Sequence, residues 1–232
     1  MSENNTVTVV KSDLYSSDWV ILKLLNTNDI MFLKNALETL VTNFNIQNIL
    51  PAVLAAFIRN FSLEDIRLAL ETFIPSPAQT PGRMNMFTFR DFTVMVDYAH
   101  NTAGFEAIAK FLEKTEATVK VGVIAGVGDR RDEDIISLGS VSAKMFDEIV
   151  IRQDKNLRGR TEEEIVSLME KGIRAVDKKK KITNFSKEAE AIDYVINNAA
   201  KGSFIVICSD VVPAALEQIM KYKEREEKEL MK

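Results

Sequence analysis

The chain has 232 residues, of which 46% are hydrophobic and 28% charged, a balance typical of a globular protein with a sizeable core. Its formal net charge of −4, with no continuous basic stripe, argues against a general nucleic-acid binder. The N-terminus lacks the pattern of a signal peptide, and no apolar run reaches the roughly 18 residues of a membrane span. We therefore expect a cytoplasmic protein with neither nucleic-acid nor membrane partners.

The sequence of residues 1–74 predicts a small α+β segment. Two short strands are expected at Thr6–Val10 and Trp19–Leu25, joined by a polar turn. A helix follows at Ile46–Asn60, and Ser62 caps a second helix that has acidic residues in its first turn. A strand pair with an open edge favours self-association, so a homo-oligomer is one expectation.

Residues 75–82 predict a linker between two domains. This window holds three prolines and ends in Gly82. Proline cannot continue a helix or a central strand, so regular structure should stop here. The second domain is then expected to cover residues 83–232.

The sequence of the second domain predicts an α/β fold, because apolar strand segments alternate with helical segments. This alternation is typical of a doubly wound, mostly parallel sheet with helices on both faces. The first two strands are too close for a crossover helix, so they should form an antiparallel edge hairpin that turns at Arg90–Asp91. The expected strands are Met84–Phe89, Phe92–Val96, Val119–Ala125, Glu148–Arg152, Lys181–Asn184 and Phe204–Ser209. The expected helices are Ala103–Lys114, Asp134–Phe146, Glu162–Val176, Lys187–Ala200 and Val211–Glu229.

The loop after the second of these strands carries Asp97 and His100, the only histidine of the chain. A helix follows at once, with Asn101 or Thr102 as its N-cap. In open α/β sheets, ligands bind at the carboxyl ends of the strands, and a helix N-terminus offers N–H groups to anions. The sequence predicts either a ligand-binding loop or an ordinary capped junction between a strand and a helix.

Three further loops should lie at the same edge of the sheet. Residues 125–134 contain two glycines and a dense charged cluster, which fits either a binding loop or a solvated loop; the P-loop motif occurs nowhere in the chain. Residues 153–161 contain Arg158 and Arg160, which suit a carboxylate or phosphate, and Thr161 should cap the next helix. Ser209-Asp210 should cap the last helix, and Cys208 is expected to be a buried structural thiol.

Four motifs in this part of the chain together resemble the carboxyl-terminal part of the Mur ligase superfamily. In their exact residues these motifs are most similar to the Mur-like half of cyanophycin synthetases, and the resemblance covers roughly residues 44–220. The resemblance implies a Rossmann-like C-terminal domain for residues 83–232, and the tail of the family's central ATP-binding domain for residues 1–74. The motifs are Pro81-Gly-Arg83-Met-Asn, Asp97-Tyr-Ala-His100-Asn, Gly128-Asp-Arg-Arg-Asp-Glu-Asp134 and Asp154…Leu157-Arg-Gly-Arg160.

The resemblance implies an activity and a set of ligands. Ligases of this superfamily use ATP with Mg²⁺ to convert a carboxylate to an acyl phosphate, which an amine attacks to give an amide. In the cyanophycin branch, arginine is joined to the side chains of a poly-aspartate backbone. The implied partners are therefore ATP or ADP and an amino acid such as arginine.

The resemblance also implies roles for single residues. Asn48 would lie near the adenine, Arg83 would contact phosphates and Asp97 would hold the ribose. His100 and Asn101 would line the same face. The residues implied on the amino-acid side are Gly128, Asp129, Arg130, Arg131, Asp154, Arg158 and Arg160.

The chain departs from the family pattern where catalysis is concerned. The P-loop and the metal ligands of the family's central domain are not among these residues. We therefore predict neither a complete set of catalytic residues nor a metal ligand. The chain alone should have no ligase activity. Phe44 and Thr102 stand where the family commonly has histidine and proline. Three hypotheses follow: a ligase portion completed by a P-loop-bearing polypeptide, a regulatory or scaffolding module that binds a nucleotide or an amino acid, and a remnant that binds nothing.

Overall fold

The computed structural model describes residues 8–10, 20–22, 43–73, 76–153 and 156–231. The chain divides into two compact units, Met1–Phe73 and Ile74–Lys232. The described elements of the first unit are an antiparallel strand pair and two helices, and Ser62 caps the second helix by accepting from Asp65 N–H at 3.1 Å. That this unit is the tail of a central ATP-binding domain stays a prediction. The elements are β1 (Thr8–Val10), β2 (Val20–Leu22), α1 (Asn43–Ile58) and α2 (Leu63–Thr72).

The second unit is built on a six-stranded sheet with the order β3-β4-β8-β5-β6-β7. β3 and β4 pair antiparallel at one edge, and all other pairings are parallel, which confirms the predicted doubly wound sheet. Phe89 N–H donates to Phe92 O at 2.9 Å, so the hairpin turns at Arg90–Asp91 as predicted. The strands are β3 (Asn85–Thr88), β4 (Thr93–Asp97), β5 (Lys120–Ile124), β6 (Glu148–Arg152), β7 (Lys181–Phe185) and β8 (Phe204–Cys208). The helices are α3 (Thr102–Glu113), α4 (Asp132–Met145), α5 (Glu162–Val176), α6 (Glu188–Asn197) and α7 (Val212–Leu230).

The core of the second unit lies on both faces of this sheet, because successive side chains of a strand point to opposite sides. Met95 of β4 and Val206 of β8 pack on one face, against α3, α4 and α5. Val96 and Ile207 pack on the other face, against α6 and α7. All five residues of β8 are buried, as expected for a central strand covered on both sides.

Helices α4 and α5 touch backbone to backbone. A Cβ atom added at Gly139 would overlap the Met169 carbonyl, and one at Gly172 would overlap the Ile136 carbonyl. Ser140 Oγ also donates to Gly172 O at 3.1 Å. This close packing fixes the position of α5, and with it the loop that leads into that helix.

The end of the predicted linker packs on the second unit. Thr80 N–H donates to Ser76 O at 2.8 Å, which closes a turn. Gly82 is buried with a φ of +70°, and a Cβ there would lie 2.6 Å from Val212 Cγ2. Glycine is therefore required at this point, both for its backbone conformation and for its contact with α7. None of the described helices is both long enough and apolar enough to span a lipid bilayer.

Candidate functional site

Asp97 lies at the carboxyl end of β4 and is 9% exposed. Its Oδ2 accepts from Met84 N–H at 2.9 Å, and its Oδ1 accepts from Ala99 N–H at 2.8 Å. Burial raises the pKa of this carboxyl, while these backbone hydrogen bonds and the charge of Arg83 act in the opposite direction. The side chain therefore joins the turn before β3 to the loop after β4.

The turn before β3 is held in an unusual backbone conformation. Gly82 and Met84 have φ values of +70° and +50°. Asn85, 3% exposed, accepts from Gly82 N–H at 2.6 Å and donates to Thr80 O at 3.0 Å. Tyr98 N–H donates to Gly82 O at 2.8 Å. These bonds hold Arg83, which lies between Gly82 and Met84, next to the loop after β4.

An exposed face lies beside the buried carboxylate. The guanidinium carbon of Arg83 is 5.5 Å from the centroid of the Tyr98 ring, and that ring is edge-on to His100 at 5.0 Å. His100 Nδ1 lies 3.0 Å from Tyr98 O. Arg83 and Tyr98 are exposed. A cation, a flat aromatic surface and an imidazole thus lie side by side in the loops that Asp97 joins; Tyr98, which the predicted site set omits, belongs to this cluster.

Two other predicted nucleotide-side residues have different positions. Asn101 is the N-cap of α3, and its Oδ1 accepts from Gly104 N–H at 2.8 Å, which settles the cap on Asn101 rather than on Thr102. Asn48 lies in α1 of the first unit, and its side chain is outside the described part of the chain. Contacts of either residue with a nucleotide stay predictions.

The loops after β5 and β6 are joined to each other. Arg160 Nε donates to Gly128 O at 2.9 Å, and its Nη2 donates to Arg130 O at 3.0 Å and to Asp132 at 2.6 Å. Arg158 pairs with Asp129 at 2.6 Å. A Cβ at Gly128 would overlap the Leu157 carbonyl. We refer to residues 128–134 and 156–160 as the paired loops.

The charges within the paired loops neutralise one another. A hydrogen bond from Arg158 lowers the pKa of Asp129, and one from Arg131 lowers that of Asp134. Arg131 is the N-cap residue of α4, which begins two residues earlier than predicted because an acidic first turn suits a helix N-terminus. Arg158 and Arg160 bind aspartates and carbonyls of the neighbouring loop, whereas Arg131 pairs with Asp134 of its own loop. Contact of any of these residues with an amino acid stays a prediction. Asp154 falls outside the described residues.

Sequence reasoning missed Arg152, a buried side chain with several partners at this edge of the sheet. It ends β6 and is 4% exposed. Its Nη1 lies 2.6 Å from Asp210 Oδ1, its Nε lies 3.1 Å from Glu188 Oε2, and its Nη2 donates to Cys208 O at 3.0 Å. An arginine at the end of an apolar strand gives no sign in sequence that it will be buried, since its partners are distant along the chain.

The predicted cap at Ser209-Asp210 is wrong. The N-cap residue of α7 is Val211, which makes no side-chain capping bond. Ser209 Oγ instead donates to Glu188 Oε1 at 2.8 Å, and Asp210 pairs with Arg152 because a buried guanidinium requires carboxylate partners. Cys208 is buried, and burial raises the pKa of its thiol, as befits a structural cysteine. Thr161, by contrast, is the N-cap as predicted, and it also forms a capping box with Glu164.

The described residues include no group of three or more His, Cys, Asp or Glu side chains that could hold a metal ion. The residues suited to a phosphorylated ligand are those around Asp97. Arg83 offers guanidinium donors beside an aromatic face, and the Asp97 carboxylate can accept further hydrogen bonds from hydroxyl groups.

Comparison with known proteins gives consistent sequence matches. Residues 82–211 match the family model described as Mur ligase, glutamate ligase domain. The chain is 41% identical over 179 residues to the cyanophycin synthetase of Geminocystis herdmanii (strain PCC 6308), an alignment covering 77% of this chain and 20% of that protein. It is 34% identical over 174 residues to the UDP-N-acetylmuramoyl-L-alanyl-D-glutamate--2,6-diaminopimelate ligase of Geobacillus kaustophilus (strain HTA426), covering 74% and 34%.

Solved structures share the fold. E. coli FolC in complex with ADP superposes with a TM-score of 0.58 at 18% identity, covering 77% of this chain and 40% of that one. MurF from Acinetobacter baumannii gives a TM-score of 0.55 at 22% identity, covering 88% and 40%. The chain spans 20% of the length of the cyanophycin synthetase it matches.

Proposed function

The chain belongs to the Mur ligase family, and on that premise we propose that it is the C-terminal portion of an ATP-dependent amide ligase related to cyanophycin synthetase. It would contribute contacts to the ribose and phosphates of ATP and to the incoming amino acid. The observation that carries the proposal is the cluster of Arg83, Tyr98 and His100 around the buried carboxylate of Asp97.

The residues of this cluster suit a nucleotide. Asp97 uses one hydrogen bond on each carboxylate oxygen within the loops, so each oxygen keeps capacity to accept from a ribose hydroxyl. Arg83 presents a planar guanidinium that can bind two phosphate oxygens at once. ATP, when bound, supplies the phosphoryl group that activates a carboxylate for attack by an amine. Nothing in the described residues suggests a Mg²⁺ site, and we assign that ion no ligand here.

The paired loops would face the incoming amino acid. Their ion pairs hold Asp129 and Asp132 in fixed positions, and Arg130 is exposed beside them. The exposed guanidinium of Arg130 suits the α-carboxylate of an amino acid. Substrate positioning of this kind depends on rigid loops, which the contact between Gly128 and Leu157 provides.

The chain would not turn over ATP by itself. Phosphoryl transfer relies on positioning and on neutralising charge, and the P-loop motif that usually does this is not among the 232 residues. A P-loop-bearing ligase polypeptide would supply it, in the cytoplasm where ATP is available. A non-catalytic regulatory or scaffolding module is the second candidate, favoured by the same missing motif.

Isothermal titration of the chain with ATP, ADP and arginine tests the binding part of the proposal. We expect nucleotide binding with a dissociation constant of about 1 mM or tighter, the range of a weak specific site. Asp97→Ala should abolish it, while Asp91→Ala, at the other end of β4, should leave it unchanged. Absence of nucleotide binding by the unmodified chain, or equal binding by the Asp97 variant, would contradict the proposal.

A reconstitution assay separates the two candidates. The chain is a ligase portion if arginine is incorporated in an ATP-dependent reaction only when a P-loop-bearing cyanophycin synthetase fragment is added. Nucleotide binding without any complementation would favour the regulatory module. ATP hydrolysis or ligation by the chain alone would contradict the expectation that it is catalytically incomplete.

A further inference from the structure

We propose that Arg152 is a positioning residue that fixes Asp97 through the loop between β8 and α7. This role rests on the proposed function, because Asp97 is the residue it would hold for a nucleotide. Neither Arg152 nor its partly buried partner Glu188 belongs to the motifs that carry the family resemblance.

The guanidinium of Arg152 connects strands that are not neighbours. In the strand order β8-β5-β6, Arg152 ends β6 while its acceptor, Cys208 O, ends β8. The side chain must therefore pass over the carboxyl end of β5, across two strand spacings of about 4.8 Å each. Because β4, β8, β5 and β6 are parallel, Arg152 and Asp97 lie at the same edge of the sheet.

The connection from Arg152 to Asp97 is continuous. Cys208 lies beside Asp97 in the parallel pairing of β4 and β8. The next residue, Ser209, donates its N–H to Asp97 O at 2.9 Å and its hydroxyl to Glu188 Oε1 at 2.8 Å. Arg152 binds both sides of Ser209, at Cys208 O and at the Asp210 carboxylate. Two hydrogen bonds thus separate the guanidinium from the backbone of Asp97.

The chemistry of this cluster requires arginine. Three nitrogen atoms of one planar group contact three different partners, which a lysine ammonium on a flexible stem cannot reproduce. A buried ion pair contributes little net stability once desolvation is counted, so stability alone gives a weak reason for it. Holding a loop in one arrangement is the role in which such a group differs from an apolar side chain.

Amide hydrogen exchange measured by NMR tests the proposal without any ligand. In Arg152→Lys we expect exchange at the Ser209 and Ala99 amides to rise by about tenfold or more, because opening of this loop no longer breaks a buried network. Amides in the middle of β5 and β6 should keep their protection. Arg174→Lys is the matched control, since Arg174 also binds two carbonyls, at Lys178 and Lys180, but beyond the opposite end of α5.

A second variant covers the case in which Arg152→Lys does not fold. The double substitution Arg152→Gln with Glu188→Gln removes both charges of that pair, and the Asp210 carboxylate, whose side chain is 30% exposed, can be solvated by water. This variant should show the same local increase. Two results would overturn the proposal. In the first, exchange at Ser209 and Ala99 stays within about twofold of the rate in the unmodified chain; in the second, exchange rises equally at every amide.

Titration with ADP then links the loop to the proposed site. Arg152→Lys should weaken ADP binding by about tenfold or more, while Arg174→Lys should not change it. Unchanged ADP affinity in Arg152→Lys would overturn the positioning role. If the unmodified chain does not bind ADP, the proposed function fails, and the exchange measurement still decides whether Arg152 fixes the loop.

Discussion

Replacing Gly128 by alanine tests whether the paired loops are locked together. The added Cβ would overlap the carbonyl oxygen of Leu157, a backbone atom that no side-chain rotation can remove. The loops must then separate by about 1 Å or more before the contact becomes an ordinary one. That separation would break the bonds from Arg160 to Gly128 O at 2.9 Å and to Arg130 O at 3.0 Å.

The expected cost follows from these bonds. Hydrogen bonds from a charged donor are worth about 1.5–3 kcal/mol each, and the lower value applies because the Arg160 side chain is partly exposed. Two such bonds give a loss of about 3 kcal/mol in the free energy of unfolding. For a domain of this size, that loss lowers the melting temperature by about 6–12 °C.

Urea and thermal unfolding followed by circular dichroism measure this loss. Gly159→Ala is the matched control in the partner loop, where a Cβ meets nothing but φ is +92°, so only backbone strain of about 1–2 kcal/mol is expected. The contact between the paired loops would be refuted if the free energy of unfolding of Gly128→Ala lay within about 0.5 kcal/mol of that of the unmodified chain, or if Gly128→Ala were no less stable than Gly159→Ala.

Three further predictions concern single side chains. Asp97→Asn should lower the free energy of unfolding by about 1–3 kcal/mol in urea denaturation, because the new amide group faces a backbone N–H donor; an unchanged midpoint would contradict the hydrogen bonds described. The pKa of Asp129 should lie below 3.8 in a carboxyl NMR titration and return towards 3.8 in Arg158→Gln. The ion pair is therefore fully present above pH 3.8 and lost as the pH falls through the lower folded-state value, and equal titration in both proteins would argue against it. Thr161→Ala should cost about 1 kcal/mol in thermal unfolding through loss of the capping box, whereas Thr115→Ala, outside any N-cap, should cost less.

Local sequence patterns predicted the elements whose determinants are local. The apolar run that forms β8 indicated a strand covered on both faces, and the short spacing at Arg90–Asp91 indicated a hairpin. The Thr161 capping box needs only residues three apart, so it too could be found in the sequence.

Contacts that depend on strand order could not be predicted in this way. Arg152 meets Cys208 and Asp210 only because β8 lies next to β5, and alternation of strands and helices does not specify that order. The predicted cap at Ser209-Asp210 failed for the same reason, since its true partners lie on other elements. The two arginines of the second paired loop were predicted to bind a ligand; in the structure their partners are aspartates and carbonyls of the same chain, and contact with a ligand stays a prediction.

The place of β8 in the sheet has a consequence for how the protein is made. Among the described strands of this sheet β8 comes last in the chain, yet it lies between β4 and β5, which end roughly 110 and 80 residues before it begins. Such a sheet cannot close progressively from the N-terminus, because its middle stays open until Phe204–Cys208 has been added. The backbone of Asp97 meets Ser209 only at that moment, so the edge of the sheet that carries the proposed site is completed in the final stage of folding. A nascent chain would therefore expose the apolar flanks of β4 and β5 until β8 has been synthesised, and a ligand that binds at Asp97 would act only after this sheet has closed.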